Sequence, residues 1–111
     1  MEVDNMPYIV SFVKYPSHRG PKIAQKYLEY LQKFPPDDSL GELIIPSAIK
    51  ITDEGIRVLS VSRVKKGKFD EAWKLAIDQR AFFLDVEGYE GSVEVWATIE
   101  EALAAVGMKL P

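Results

Sequence analysis

Two strand patterns in the middle of the chain form a hairpin, and a helical pattern lies on each side of it. Residues 43–51 and 56–64 are rich in β-branched residues, and the turn sequence TDEG separates them. The glycine of that turn, Gly55, can adopt a positive φ. Pro46 cannot donate a hydrogen bond to a sheet, so the first arm is predicted to be an edge strand. A hairpin between two helices predicts a sheet covered by helices.

The first third of the chain adds a strand and a helix. Residues 8–15, YIVSFVKY, have the composition and length of a strand, with apolar residues in both alternating sets. Gly20 and Pro21 begin a helix, because proline is well tolerated in its first turn. Pro35 and Pro36 are expected to end it. Its apolar stripe consists of Ile23, Tyr27, Leu28, Leu31 and Phe34.

The last third repeats that order. Residues 69–88 carry the apolar spacing of a second helix, and residues 92–97 alternate as a fourth strand. Thr98 and Glu101 have the spacing of a capping box, which begins a short final helix. Gly107 is expected to end it.

The element order is β-α-β-β-α-β followed by a short helix, which is the ferredoxin-like arrangement. We expect a single domain over residues 1–111, with a core at about 7–98 and a C-terminal helix at about 98–107. Right-handed crossovers are expected to place the first and third strands side by side and parallel within an antiparallel sheet. Both long helices are expected on one face. The other face is substantially apolar and is expected to pack against a second copy.

This order and these two-sided strands resemble the dimeric α+β barrel superfamily, in which two ferredoxin-like sheets pack face to face. The resemblance covers roughly residues 7–98 and includes no signature motif. It implies an α+β fold and a homodimer. Members include cofactor-independent oxygenases, haem-degrading enzymes, isomerases and stress-response proteins, so the resemblance implies no single activity. The haem-degrading pattern requires a histidine late in the chain, whereas the sole histidine here is His18.

Composition narrows the classes of partner. Seventeen acidic residues against fourteen basic ones argue against a general nucleic-acid binder, although they leave that class open. With no cysteine and one histidine, a metal site is not expected, and neither is an organic cofactor. The absence of cysteine favours a reducing, cytoplasmic setting. The acidic N-terminus and the lack of an apolar run of about 20 residues argue against a signal peptide and a membrane span.

Two basic loops form the first candidate site. Loops 14–22 and 63–68 are expected at the same end of the sheet, if the first and third strands are parallel. Each leads into a helix N-terminus, where backbone N–H groups favour an anion. The pattern predicts one basic edge that binds a phosphate, a carboxylate or a nucleic-acid backbone, with solvated loop lysines as the alternative. The loops contain no acid and hold half of the basic residues: Lys14, Arg19, Lys22, Arg63, Lys65, Lys66 and Lys68.

His18 is the only candidate for proton transfer near neutral pH. A catalytic histidine needs an orienting partner, and the sequence does not identify one. An exposed loop histidine is the alternative.

Polar residues on apolar strands form a possible pocket, because apolar pockets usually hold a few converging polar groups. For Glu94, an edge strand with a solvated face is the alternative. For Trp96, and likewise Trp73, a core or interface position is the alternative. Asp78, Arg80 and Asp85 are expected on the solvated side of the second helix. The possible pocket residues are Ser11, Ser60, Ser62, Glu94 and Trp96.

Three hypotheses about function follow. The first is a small homodimer that binds a compact anionic or mixed polar–apolar ligand at the basic edge, without metal or cofactor. The second is a cofactor-independent enzyme, similar to an oxygenase or isomerase, that uses His18 for proton transfer. The third is an interaction module for nucleic acid or protein at the same edge. Whether the chain is an enzyme stays open, since GxSxG, P-loop, HExxH and GxGxxG patterns are all absent.

Overall fold

The computed structural model describes residues 6–35 and 37–111, so the predictions about the first residues and Pro36 lie outside the described residues. The described part is a mixed α+β structure with four strands and three helices, in the predicted order. None of its helices is both long enough and apolar enough to span a bilayer. The elements are β1 (Tyr8–Tyr15), a 3₁₀ turn (Ser17–Arg19), α1 (Gly20–Lys33), β2 (Gly41–Thr52), β3 (Gly55–Val64), α2 (Phe69–Ala81), β4 (Glu90–Trp96) and α3 (Ile99–Ala105).

The strands form one sheet in the order β2-β3-β1-β4, and every neighbouring pair is antiparallel. Tyr8 lies opposite Arg63 and Tyr15 lies opposite Ile56, so β1 and β3 run in opposite directions. The predicted parallel pairing of these strands is therefore wrong. The connection through α1 makes β1 parallel to β2. The hairpin then reverses the chain direction, so β3 is antiparallel to both of these strands.

β2 is an edge strand, as Pro46 predicted. Its register against β3 shifts between Leu43 and Ile45 and again between Ile45 and Ala48, and the second shift includes Pro46. An edge strand tolerates such irregularities because one of its sides has no strand to pair with.

The two faces of the sheet differ in what covers them. Ile9, Val13 and Tyr15 point to one face and are buried. Gly91 shares that face with Val13, and the Arg80 side chain of α2 lies 3.3 Å from where a Cβ of Gly91 would be. We call this face the helix side. The opposite face, which carries the even-numbered residues of β1, is called the open face.

Residues far apart in sequence attach α1 to the segment after α2. The ring of Tyr30 lies 5.5 Å from that of Phe83 and 6.3 Å from that of Phe82. Lys26, only 12% exposed, places its Nζ 2.7 Å from Asp85 and 4.7 Å from the Phe82 ring centroid. The hydrogen bond from Lys26 lowers the pKa of Asp85, and the charge of Lys26 acts in the same direction. Asp85 was expected to be merely solvated, but it is paired with α1.

The short C-terminal helix has the predicted start. The Thr98 hydroxyl accepts a hydrogen bond from the Glu101 backbone N–H at 3.2 Å, and the Glu101 carboxylate accepts one from the Thr98 backbone N–H at 2.9 Å. The capping box therefore satisfies two N–H groups that the helix itself cannot. Gly107, with φ of 75°, follows the last turn.

Gly55 allows us to test the hairpin turn. Its φ is 126°, and a Cβ there would lie 2.6 Å from the Tyr15 carbonyl oxygen. Gly55→Ala should lower the free energy of unfolding by about 1–3 kcal/mol from backbone strain alone, and further because a backbone atom cannot move aside easily. Gly67→Ala is the matched control, since Gly67 has φ of 76° but open space around it. Urea unfolding of both variants measures the difference, and equal losses would contradict the importance of the close approach.

The Lys26–Asp85 pair predicts a pH dependence. The pKa of Asp85 is lower in the folded chain than in the unfolded one, so the pair stabilises the fold above the unfolded value of about 4. That stabilisation disappears as the pH falls through the lower, folded pKa. Asp85→Asn should therefore be less stable than the wild type at pH 7, and the two should converge at strongly acidic pH.

Urea midpoints at several pH values measure this convergence. Asp78→Asn is the control, because Asp78 pairs with Lys74 inside α2 and such pairs contribute only a few tenths of a kcal/mol. A constant difference between wild type and Asp85→Asn at every pH would contradict the prediction.

Candidate functional site

The two basic loops lie at opposite ends of the sheet. Loop 14–22 follows β1 beside Ile56, where β3 begins, whereas loop 63–68 follows β3 beside Tyr8, where β1 begins. Seven residue steps along a strand separate these ends by roughly 23 Å. The single basic edge predicted from the sequence is therefore not formed. The prediction failed because it depended on parallel first and third strands.

Residues outside the loops provide partners for several of their cations. Glu90 belongs to β4, Glu87 precedes it and Glu71 belongs to α2. Lys22 and Lys65 are exposed, as is Lys66. The described contacts are Lys14–Glu90 at 3.1 Å, Arg19–Glu87 at 2.7 Å, Lys68–Glu71 at 3.8 Å and Arg63 Nε to the Met6 carbonyl oxygen at 3.2 Å. The loops are therefore not free of acids in space, although they are free of them in sequence.

His18 lies in the exposed 3₁₀ turn between β1 and α1. Within residues 6–35 and 37–111, no hydrogen bond or ion pair involves its ring. Its neighbour Arg19 is directed to Glu87 instead. A general acid or base needs an orienting contact, so the geometry adds nothing to the hypothesis that His18 transfers protons.

The predicted pocket residues are divided between the two faces. Ser11 lies opposite Ser60, and both point to the helix side together with Ser62. Glu94 and Trp96 point to the open face, since they lie opposite even-numbered residues of β1. These five residues therefore do not form one pocket.

On the helix side the serines are not alike. The Ser60 hydroxyl donates to the Pro46 carbonyl oxygen at 3.0 Å, at the irregular part of β2. The Ser11 hydroxyl is buried without a partner among the described residues. A buried hydroxyl of this kind usually binds an ordered water.

On the open face, Glu94 binds two side chains at the end of β4. Its two carboxylate oxygens accept hydrogen bonds from the Ser92 hydroxyl and the Trp96 indole N–H, both at 3.0 Å. β4 is an edge strand, as the solvated alternative for Glu94 required. Glu94 therefore holds Trp96 in place, and the Trp96 ring lies 6.3 Å from that of Phe12.

The open face consists of four rows of residues that lie opposite one another on neighbouring strands, and two of these rows form the candidate site. Residues directly opposite each other on neighbouring strands share a face and lie about 5 Å apart. The first row, called the cationic row, consists of Lys50, Arg57, Lys14 and Glu90. The next, called the apolar row, consists of Ala48, Leu59, Phe12 and Ser92. Together they line a groove of about 520 Å³.

The cationic row has more positive charge than its acids can neutralise. Lys14 is engaged by Glu90 within the row, and Arg57 reaches Glu54 of the hairpin turn at 3.6 Å. Lys50 has no ion pair among the described residues. Like charges placed directly opposite each other destabilise a sheet, so the row favours an anion between them. Sequence reasoning missed this site because only the antiparallel register places Lys14 beside Arg57.

A second polar cluster lies under the helices. Arg80 donates through Nη1 to the Tyr89 hydroxyl, although the sequence suggested that Arg80 is solvated. Its Nε is buried without a partner in the described part of the chain. Burial raises the pKa of both Tyr89 and Tyr30. Both phenols therefore stay protonated at neutral pH and do not act as bases.

Comparison of the chain with protein-family models, curated proteins and solved structures gave no match. In the part of the chain that the structure describes, no three carboxylate or histidine side chains form a group that could hold a metal ion. The candidate site therefore rests on its geometry alone.

Proposed function

We propose that this chain is a ferredoxin-like domain that works as a homodimer and binds a small ligand in the groove of the open face. The ligand has an apolar body and one anionic group. A sheet in the order β2-β3-β1-β4 with helical crossovers supports the ferredoxin-like assignment. The observation that carries the ligand proposal is the cationic row beside the apolar row.

The anionic group binds between Lys50 and Arg57. Lys14 lies 3.1 Å from Glu90, whereas Arg57 has only a longer contact of 3.6 Å with Glu54 and Lys50 has no ion pair among the described residues, so these two cations have the most charge to offer. Arg57 can present two parallel N–H groups to a carboxylate or phosphate, which fixes its orientation. The apolar body then lies on Phe12 and Leu59, one row away. A groove of about 520 Å³ is within the usual range for small-molecule sites.

The same geometry favours a small ligand over a nucleic acid. The cations of the groove occupy one row across the sheet and are bordered by Glu90. A nucleic-acid backbone extends over many phosphates, and binding it typically involves 6–10 contacts from a long basic surface. A row of three cations fits a single anionic group better.

Two dyes of similar shape test this proposal: the anion 1-anilinonaphthalene-8-sulfonate and the neutral N-phenyl-1-naphthylamine. The anion should bind more tightly, because only it can use the cationic row. Arg57→Gln should weaken binding of the anion by about 10- to 100-fold, as expected for loss of a charge-assisted hydrogen bond. The neutral dye should be affected by no more than about 2-fold. Fluorescence titration measures both affinities.

Lys68→Gln is the control, since Lys68 lies at the other end of the sheet beside Glu71. It should leave both affinities unchanged. Equal binding of the two dyes, or equal losses from Arg57→Gln and Lys68→Gln, would contradict the proposal.

A further inference from the structure

Two carboxylates contact the cations of the cationic row. The cations are Lys14, Lys50 and Arg57, and the fourth member of the row is Glu90. Lys14 Nζ lies 3.1 Å from a Glu90 carboxylate oxygen, and Arg57 Nη2 lies 3.6 Å from a Glu54 carboxylate oxygen. The row and its contacts therefore combine three positive charges with two negative ones, which leaves an excess of one positive charge.

The hairpin turn places Glu54 next to this row. The Thr52 hydroxyl accepts a hydrogen bond from the Glu54 backbone N–H at 3.2 Å and donates one to the Gly55 carbonyl oxygen at 2.8 Å. These two hydrogen bonds fix the backbone on both sides of Glu54. Its carboxylate therefore belongs to the same end of the sheet as the cationic row.

Glu54 acts on Arg57 through its charge alone. A separation of 3.6 Å is too long for a hydrogen bond, so the N–H groups of Arg57 stay available to a ligand. The negative charge nevertheless weakens the attraction between Arg57 and any anion that binds there. Glu90 has the same effect on Lys14.

The excess charge determines which kind of anion the groove favours. The attraction of the row for a ligand is about twice as large for a dianion as for a monoanion, because it is proportional to the charge of the ligand. The Born cost of taking the ligand out of water is about four times as large for the dianion, because it depends on the square of that charge. A row with one excess positive charge therefore favours a ligand with one negative charge.

We propose that the groove selects an apolar monoanion, such as a carboxylate, and discriminates against the dianion of a phosphate monoester. Glu54 and Glu90 are the residues that set this charge limit. The inference rests on the proposed function and adds the charge of the ligand to it.

Two probes of nearly the same shape test the charge limit. Naphthalene-1-sulfonate is a monoanion, whereas 1-naphthyl phosphate is a dianion at pH 8, because the second pKa of such a phosphate is about 6. Calorimetric titration of the full chain at pH 8 should show that the sulfonate binds at least about 3-fold more tightly than the phosphate.

The double variant Glu54→Gln, Glu90→Gln should raise the affinity for the phosphate more than the affinity for the sulfonate. Each removed carboxylate repels the dianion about twice as strongly as the monoanion. An increase of about 3-fold for the sulfonate therefore corresponds to about 9-fold for the phosphate, since the free energies differ by a factor of two. The Glu54 and Glu90 side chains are 84% and 66% exposed, so the variant should stay folded by circular dichroism.

Glu71→Gln is the matched control. Glu71 contacts Lys68 at 3.8 Å across the same spacing of three residues, but at the other end of the sheet. It should leave both affinities unchanged. A wild type that prefers the phosphate, or a double variant that changes both affinities by the same factor, would overturn the charge limit.

Arg57→Gln separates this inference from the proposed function. If it weakens binding of the sulfonate although the wild type prefers the phosphate, the groove binds anions and only the charge limit is wrong. If it leaves both affinities unchanged, or if neither probe binds to the wild type, the proposed function is wrong and this inference with it.

Discussion

The antiparallel pairing of β1 with β3 determines where each candidate residue of this chain lies. β1 is a central strand and supplies four of the seven buried apolar side chains among the described residues: Ile9, Val10, Val13 and Tyr15. Since residues alternate between faces, the register assigns Ser11 to the helix side and Lys14 to the open face. The same pairing separates the two basic loops and brings Lys14 beside Arg57. A different direction for one strand would have produced a different site.

Local signals in the sequence predicted the elements well because their causes are local. Pro21 in the first turn of α1, the positive φ of Gly55 and the capping box at Thr98 each act within a few residues. The direction of strand pairing and the partners of charged side chains depend on contacts across the chain. Arg80 and Asp85 resembled solvated residues, since nothing near them in sequence identifies Tyr89 or Lys26 as their partners. The two loops do contain seven cations and no acid in sequence. The single basic edge predicted from them depended on an incorrect topology.

Charge and apolar surface are distributed differently on the two sides of the sheet. On the open face, charged and apolar residues are mixed, and the cationic row borders an apolar row. This mixture suits a small ligand, because water can still reach the charges that the ligand leaves unpaired. On the helix side, Leu43, Ile49 and Ile51 of β2 are exposed apolar residues.

The attachment of α1 leaves one of its flanks exposed. Tyr30 and Lys26 attach one flank of the helix to Phe82 and Asp85. On the opposite flank Leu28 is 65% exposed, and no residue of α1 is buried. Burial of that flank by a second copy would add apolar area to a chain of only 111 residues, a size at which the gain in stability is large relative to the total. The stability of the fold would then depend on protein concentration, because dimerisation and folding are coupled by mass action.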